Sequence, residues 1–171
     1  MNSKLTIWLL SLLVFSSLAS ANETMTPSEV KYIFLEYESL NNAFLSSVGS
    51  VRELVYRKRV EEYAEGEFEK ALNASVVIVC KTGNMEVISA LFRVTYATSN
   101  SASESPSWAL GSAYFCKPEI VSKVFLSLPE IKKLSLYKSL SFGFENVVYN
   151  KKDKNIGELR EKLQSLEVNA K

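Results

Sequence analysis

The chain contains no histidine and a single aspartate, Asp153. The first absence removes Ser-His and Cys-His nucleophilic systems, together with the commonest zinc ligand. The second removes Asp-rich calcium loops and paired-aspartate acids. There is no glycine-rich phosphate loop. The two cysteines, Cys80 and Cys116, lie too far apart to form a CxxC redox motif. Long apolar runs are scarce as well. Beyond the N-terminus the most apolar stretch is SVVIVC at residues 75–80, far short of the ~20 residues that span a bilayer. These absences set aside most catalytic chemistries, and no cofactor or metal is expected.

What is present begins with the N-terminus. Lys4, the mostly apolar residues 5–15 and the small-x-small triplet Ala19-Ser20-Ala21 read as a secretory signal cleaved after residue 21. Its apolar run of about 11 residues is too short for an anchor. The expected organisation is a signal at 1–21 followed by one domain at 22–171, exported to a periplasm or secreted. With 20 basic and 19 acidic residues in the whole chain, loss of Lys4 leaves charge balance, and a neutral domain has no bulk attraction for nucleic acid or anionic lipid. Neither nucleic-acid binding nor stable membrane insertion after signal cleavage is expected. The basic clusters Arg57-Lys58-Arg59 and Lys151-Lys152-Asp153-Lys154 read as a solvated helix face and a solvated loop. The sequons at Asn22 and Asn73 read as chance matches, since one abuts the cleavage site and the other sits on a predicted helix.

Two cysteines in an exported chain favour one disulfide, Cys80–Cys116. It would close a loop of about 36 residues, for which chain entropy gives roughly 4 kcal/mol. The bond would tie three helices together.

The rest of the pattern is helical. All four prolines sit where helices can begin. Thr26-Pro27-Ser28-Glu29 forms a capping box, and Ser50 with Glu53 and Ser127 with Glu130 have the same spacing. Val30, Ile33, Phe34, Tyr37, Leu40 and Phe44 make a 3.6-residue stripe after the first box. The second helix carries Leu54, Val55, Tyr56, Val60, Tyr63 and Ala64, with Gly66 as a kink or break before Phe68, Leu72, Val76 and Val79. Residues 76–79 are β-branched, and a strand competes there, but no partner strand follows, so helix is expected. Gly83 and Asn84 are a stop followed by a start. The last long helix should face Leu134, Tyr137, Leu140, Phe144, Val147 and Val148 inward. The fold class is therefore all-α. Seven or eight helices would form an antiparallel bundle or stacked antiparallel helix pairs. The closely spaced starts at Pro106, Pro118 and Pro129 favour the pairs. That architecture resembles HEAT-type helical repeats, although no repeat of fixed period is present.

Two constellations bear on function. Glu61, Glu62, Glu65, Glu67 and Glu69 cluster around Gly66. A carboxylate pair could hydrolyse a glycan, but a solvated helix face explains the cluster more simply. The polar loop at residues 98–105 includes Ser99, Asn100, Ser101, Ser103 and Glu104, and Trp108 follows three residues beyond it. Contacts concentrate on loops held by rigid elements, and tryptophan is enriched at interface hot spots. These residues are the candidate surface for a protein partner. The expected function is a non-catalytic protein-binding module, for example an inhibitor or an immunity protein against a secreted toxin. The alternatives are a glutamate-based glycan hydrolase or lyase, and a structural or chaperone-like scaffold.

Overall fold

A computed structural model describes residues 25–99, 103–149, 151–153, 155–168 and 170. The predicted signal at 1–21 and the sequon at Asn22 lie outside the described residues. The elements are α1 (Pro27–Ser47), α2 (Glu53–Tyr63), a π-helical segment (Ala64–Phe68), α3 (Glu69–Thr82), α4 (Met85–Ala97), α5 (Ser105–Cys116), α6 (Pro118–Leu126), α7 (Glu130–Val148) and α8 (Ile156–Val168). The segments α2, π and α3 follow without a break, so the described residues form seven helical rods and no strand. Residues 76–79 are helical, inside α3.

Local chemistry sets most of the boundaries. The Thr26 hydroxyl accepts from the Glu29 N–H at 3.3 Å, and the Glu29 carboxylate accepts from the Thr26 N–H at 2.6 Å, closing the predicted box. Gly83 ends α3 in the left-handed region at φ 65°, and the Asn84 side chain accepts from the Val87 N–H at 3.0 Å to open α4. Lys117, which precedes Pro118, leaves the helical region and separates α5 from α6.

Three expectations are corrected. Neither the Ser50 nor the Ser127 capping box forms. The chain turns at Gly49 (φ 80°), and the Glu53 carboxylate accepts from the Gly49 N–H at 2.8 Å, so α2 begins only at Glu53. The Ser127 hydroxyl instead donates back to the Val124 carbonyl at 2.7 Å, and Pro129 occupies the N-cap position of α7. Leu54 and Val55 do not face inward: α2 buries no residue at all. Leu134 is exposed, whereas its neighbours Lys133 and Leu136 are buried.

The rods form two layers. In one, α1 packs on α4, α4 on α6 and α6 on α8; in the other, α3 packs on α5 and α5 on α7. Contacts between α1 and α4 recur at an almost constant offset: Lys31 meets Glu86 and Glu38 meets Arg93, each 55 residues apart, and the Asn41 amide donates to the Ala97 carbonyl, 56 residues on. A constant offset means that the two helices run parallel, as next-but-one helices must in a stack of antiparallel pairs. The stacked-pair form of the expected architecture is the one observed.

The core lies between the layers. α5 sits at its centre, burying Ala109, Leu110, Gly111, Ala113 and Tyr114. The crossing of α5 with α7 is so close that a Cβ on Gly111 would overlap the Gly143 backbone, and one on Gly143 would overlap the Ser107 carbonyl. Glycine is required at both positions for that approach.

A groove between α3 and α5

Cys80, near the end of α3, and Cys116, the last residue of α5, are disulfide-bonded with Cα atoms 5.2 Å apart. The sequence separation of 36 fixes the register of the two helices. Upstream of the bond they run side by side and leave a groove of about 830 Å³ on the outer surface. Its α3 wall is Glu69, Leu72, Asn73, Val76 and Val77. Its α5 wall begins with Ser103 and Glu104 and continues through Ser105, Trp108, Ala109 and Ser112.

The helical period explains this lining. Leu72 and Ala109 are buried and form the floor, while Glu69, Asn73, Val77, Glu104 and Trp108 stand at the rim. Trp108 keeps 45 % of its surface exposed although it is the largest apolar side chain in α5. Its backbone N–H donates to the Glu104 carbonyl at 3.1 Å, so the indole is carried on the first turn of α5 and not on a free loop. Pro106, two residues earlier and buried, anchors that turn.

Of the predicted surface, the structure brings Ser103, Glu104 and Trp108 together in this groove. Ser99 is exposed just beyond α4 and is not part of the lining. Asn100 and Ser101 lie outside the described residues. The sequence reading missed the whole α3 wall. The signal was available in principle, because the disulfide pairs positions 36 apart, and stepping back 36 residues from Trp108 reaches Leu72.

The glutamate cluster is not gathered into one cleft. All five side chains are exposed. Glu62 and Glu67 border a depression of about 390 Å³ with Glu36 and Tyr63, Glu69 belongs to the α3–α5 groove, and Glu61 and Glu65 border neither. The Tyr63 hydroxyl donates to Glu36 at 2.9 Å, and burial, followed by that carboxylate, pushes the phenol well above its ordinary range. Among the described residues no group of three or more His, Cys, Asp or Glu could hold a metal ion.

A further depression of about 390 Å³ lies between α1 and α4. It is crossed by the ion pairs Lys31–Glu86 and Glu38–Arg93, which occupy its polar groups. No such pair spans the α3–α5 groove among the described residues. No helix among the described residues is long and apolar enough to cross a membrane. No protein-family model, curated protein or solved structure matches this chain.

Proposed function

We propose that the chain is an exported, non-catalytic protein-binding module that receives a segment of another protein in the α3–α5 groove. One observation carries the reading: a tryptophan stands half-exposed on the wall of a groove whose two helices are covalently joined. Buried aromatic anchors dominate interface energetics, and a pre-tied groove loses little entropy on binding. An apolar floor with Glu69 and Glu104 at the rim suits a segment that brings an aliphatic side chain next to a lysine or arginine. A small rigid domain of this kind fits an inhibitor or an immunity protein, which acts by occupying its partner.

The test uses the exported protein after signal removal. Trp8 is lost with the signal and Trp108 is then the sole tryptophan. A partner captured from the exported fraction should shift Trp108 fluorescence on titration. Trp108→Ala should weaken binding at least tenfold while the melting temperature stays close to that of the unmodified protein, and Glu104→Gln with Glu69→Gln should weaken it less. A partner that binds the Trp108→Ala protein with full affinity would overturn the assignment.

A further inference from the structure

The turn between α1 and α2 presents a close grouping of exposed aliphatic residues. Leu45, Val48, Val51, Leu54 and Val55 fall within 11 residues, and all are exposed, Val51 by 99 % and Leu54 by 73 %. α2 packs chiefly on α1 and the π segment, and the Asn41–Ala97 bond ties α1 to the end of α4, so the last turn of α1 and the start of α2 form a hairpin end with this turn at its apex. The half-buried Val60 and Tyr63 of α2 pack against the core, with the Tyr63 ring stacked at 6.3 Å on Tyr37. None of the aliphatic residues at the apex belongs to the buried core.

The charge along the same rod is polarised. Arg52, Arg57, Lys58 and Arg59 lie near the apex, where the one acid, Glu53, is engaged by the Gly49 N–H and by Arg57. Lys58 is held 3.6 Å from Glu62, one turn further from the apex. The five glutamates from Glu61 to Glu69 all lie further back along the rod. An approaching anionic surface would attract the apex and repel the base, which orients the hairpin point-first.

We propose that this apex docks on an anionic phospholipid surface, its aliphatic side chains entering the headgroup layer and its arginines and lysine facing the phosphates. The exposed apolar side chains of the apex are all aliphatic, which suits a fluid, deformable surface. A protein hot spot would be expected to add aromatic anchors set against pockets, and no exposed aromatic side chain stands among the aliphatic residues of the apex. A second copy on a two-fold axis would bring the same basic cluster against itself. Interfacial docking of this type combines apolar burial with attraction to anionic lipid and does not require a spanning segment. The attraction is local to the apex and is compatible with a chain that is neutral as a whole.

The experiment is vesicle co-sedimentation of the exported protein, its processed N-terminus confirmed by mass spectrometry. Mixed phosphatidylcholine–phosphatidylglycerol vesicles are compared with pure phosphatidylcholine. The protein should sediment with the mixed vesicles, much less with the neutral ones, and less as salt is raised. Val51→Glu with Leu54→Glu should lower partitioning at least tenfold, and Arg52→Gln with Arg59→Gln by a smaller factor, each with an unchanged melting temperature because none of these side chains is buried. Failure to sediment with the mixed vesicles would overturn the proposal, as would partitioning of the Val51→Glu, Leu54→Glu protein equal to that of the unmodified one. Lipid-free dimerisation abolished by the same pair would also overturn it, assigning the apex to a second copy.

Discussion

The α5–α7 crossing and the α1–α2 apex stand at opposite extremes of packing. At the crossing, backbones meet so closely that two glycines cannot carry a methyl group. At the apex, Val51 and Leu54 face solvent. The helices differ in their own patterns, since α2 carries six charged residues among its eleven and α5 none among its twelve, and they differ again in what lies above them. α5 has neighbours on both sides within its layer and a second layer beneath, whereas α2 has α1 and the π segment. Burial here follows composition and place in the stack together.

The comparison breaks most visibly at the glycines. Gly143→Ala should cost ~3 kcal/mol or more, at or above the upper end of ordinary overpacking, because the added carbon meets the Ser107 backbone, which cannot rotate away. Gly111→Ala should behave alike, since it meets the Gly143 backbone. At the apex, Leu54→Ala should stay within ~0.5 kcal/mol. Urea unfolding of the three variants is the measurement, and a Gly143→Ala protein as stable as the unmodified one would mean that the crossing is looser than described.

The disulfide comes next. Reduction, or Cys80→Ser with Cys116→Ser, should remove ~2–4 kcal/mol, the range for a loop of this length. Its effect should be local to the tied unit. Amide exchange should accelerate in α3, α4 and α5, while α2, already the least buried helix, should change little. Uniform acceleration along the chain would show that the stack opens as one body.

Much of this was legible in the sequence because local chemistry fixed it. Thr26–Glu29, Gly83–Asn84 and Lys117–Pro118 set helix ends through their own side chains and backbone limits. The stripe of α1 supplies most of the buried side chains of that helix. The cysteine pairing followed from there being two. The rest depended on tertiary placement. Leu134 was misread because α7 takes its rotation from Gly143 pressing on α5, and that rotation buries Lys133 and Leu136 instead. The two capping boxes failed where a neighbouring turn offered a better partner, the Gly49 N–H for Glu53 and the Val124 carbonyl for Ser127. No fixed repeat was visible because the stacked helices have unequal offsets: 55 between Lys31 and Glu86, 36 between the cysteines, and 43 between Glu119 and Lys162. The α3 wall of the groove could be found only by applying one of those offsets.

Tyr114 sharpens the packed side of the comparison. Its buried hydroxyl donates to the Leu159 carbonyl at 3.0 Å, joining α5 to α8. Tyr114→Phe should cost ~1 kcal/mol, the net worth of a typical hydrogen bond. Burial pushes the phenol up from its usual 10 to about 12. A raised value in the folded state means that the contribution is complete below pH 10 and is lost as pH rises through 12. The stability difference between the two proteins should therefore be constant at neutral pH and should change only in that alkaline window. Identical alkaline profiles would mean that the hydroxyl is already solvated.

The smallest effect tests the joint between the two regions. Gly66 lies in the π segment, which connects the open α2 to the packed α3. A Cβ built there meets nothing within 4 Å, and the residue does not use a positive φ. Alanine is a better helix former than glycine by ~0.5–1 kcal/mol, so Gly66→Ala should raise stability by about that amount. The reasoning holds only if the π turn survives. The wider turn presents Phe68 to α1, where it stacks on Tyr37 at 3.8 Å and meets Phe34 edge-on at 5.7 Å. If alanine drew the backbone back to α-helical winding, the register would shift by one residue, about 100° of rotation at 3.6 residues per turn. Phe68 would then leave those rings, and the loss would approach the ~3–5 kcal/mol of a deleted core aromatic. Thermal unfolding separates the two by sign: a small gain means that packing on α1 sets the π turn, and a large loss means that Gly66 itself holds it.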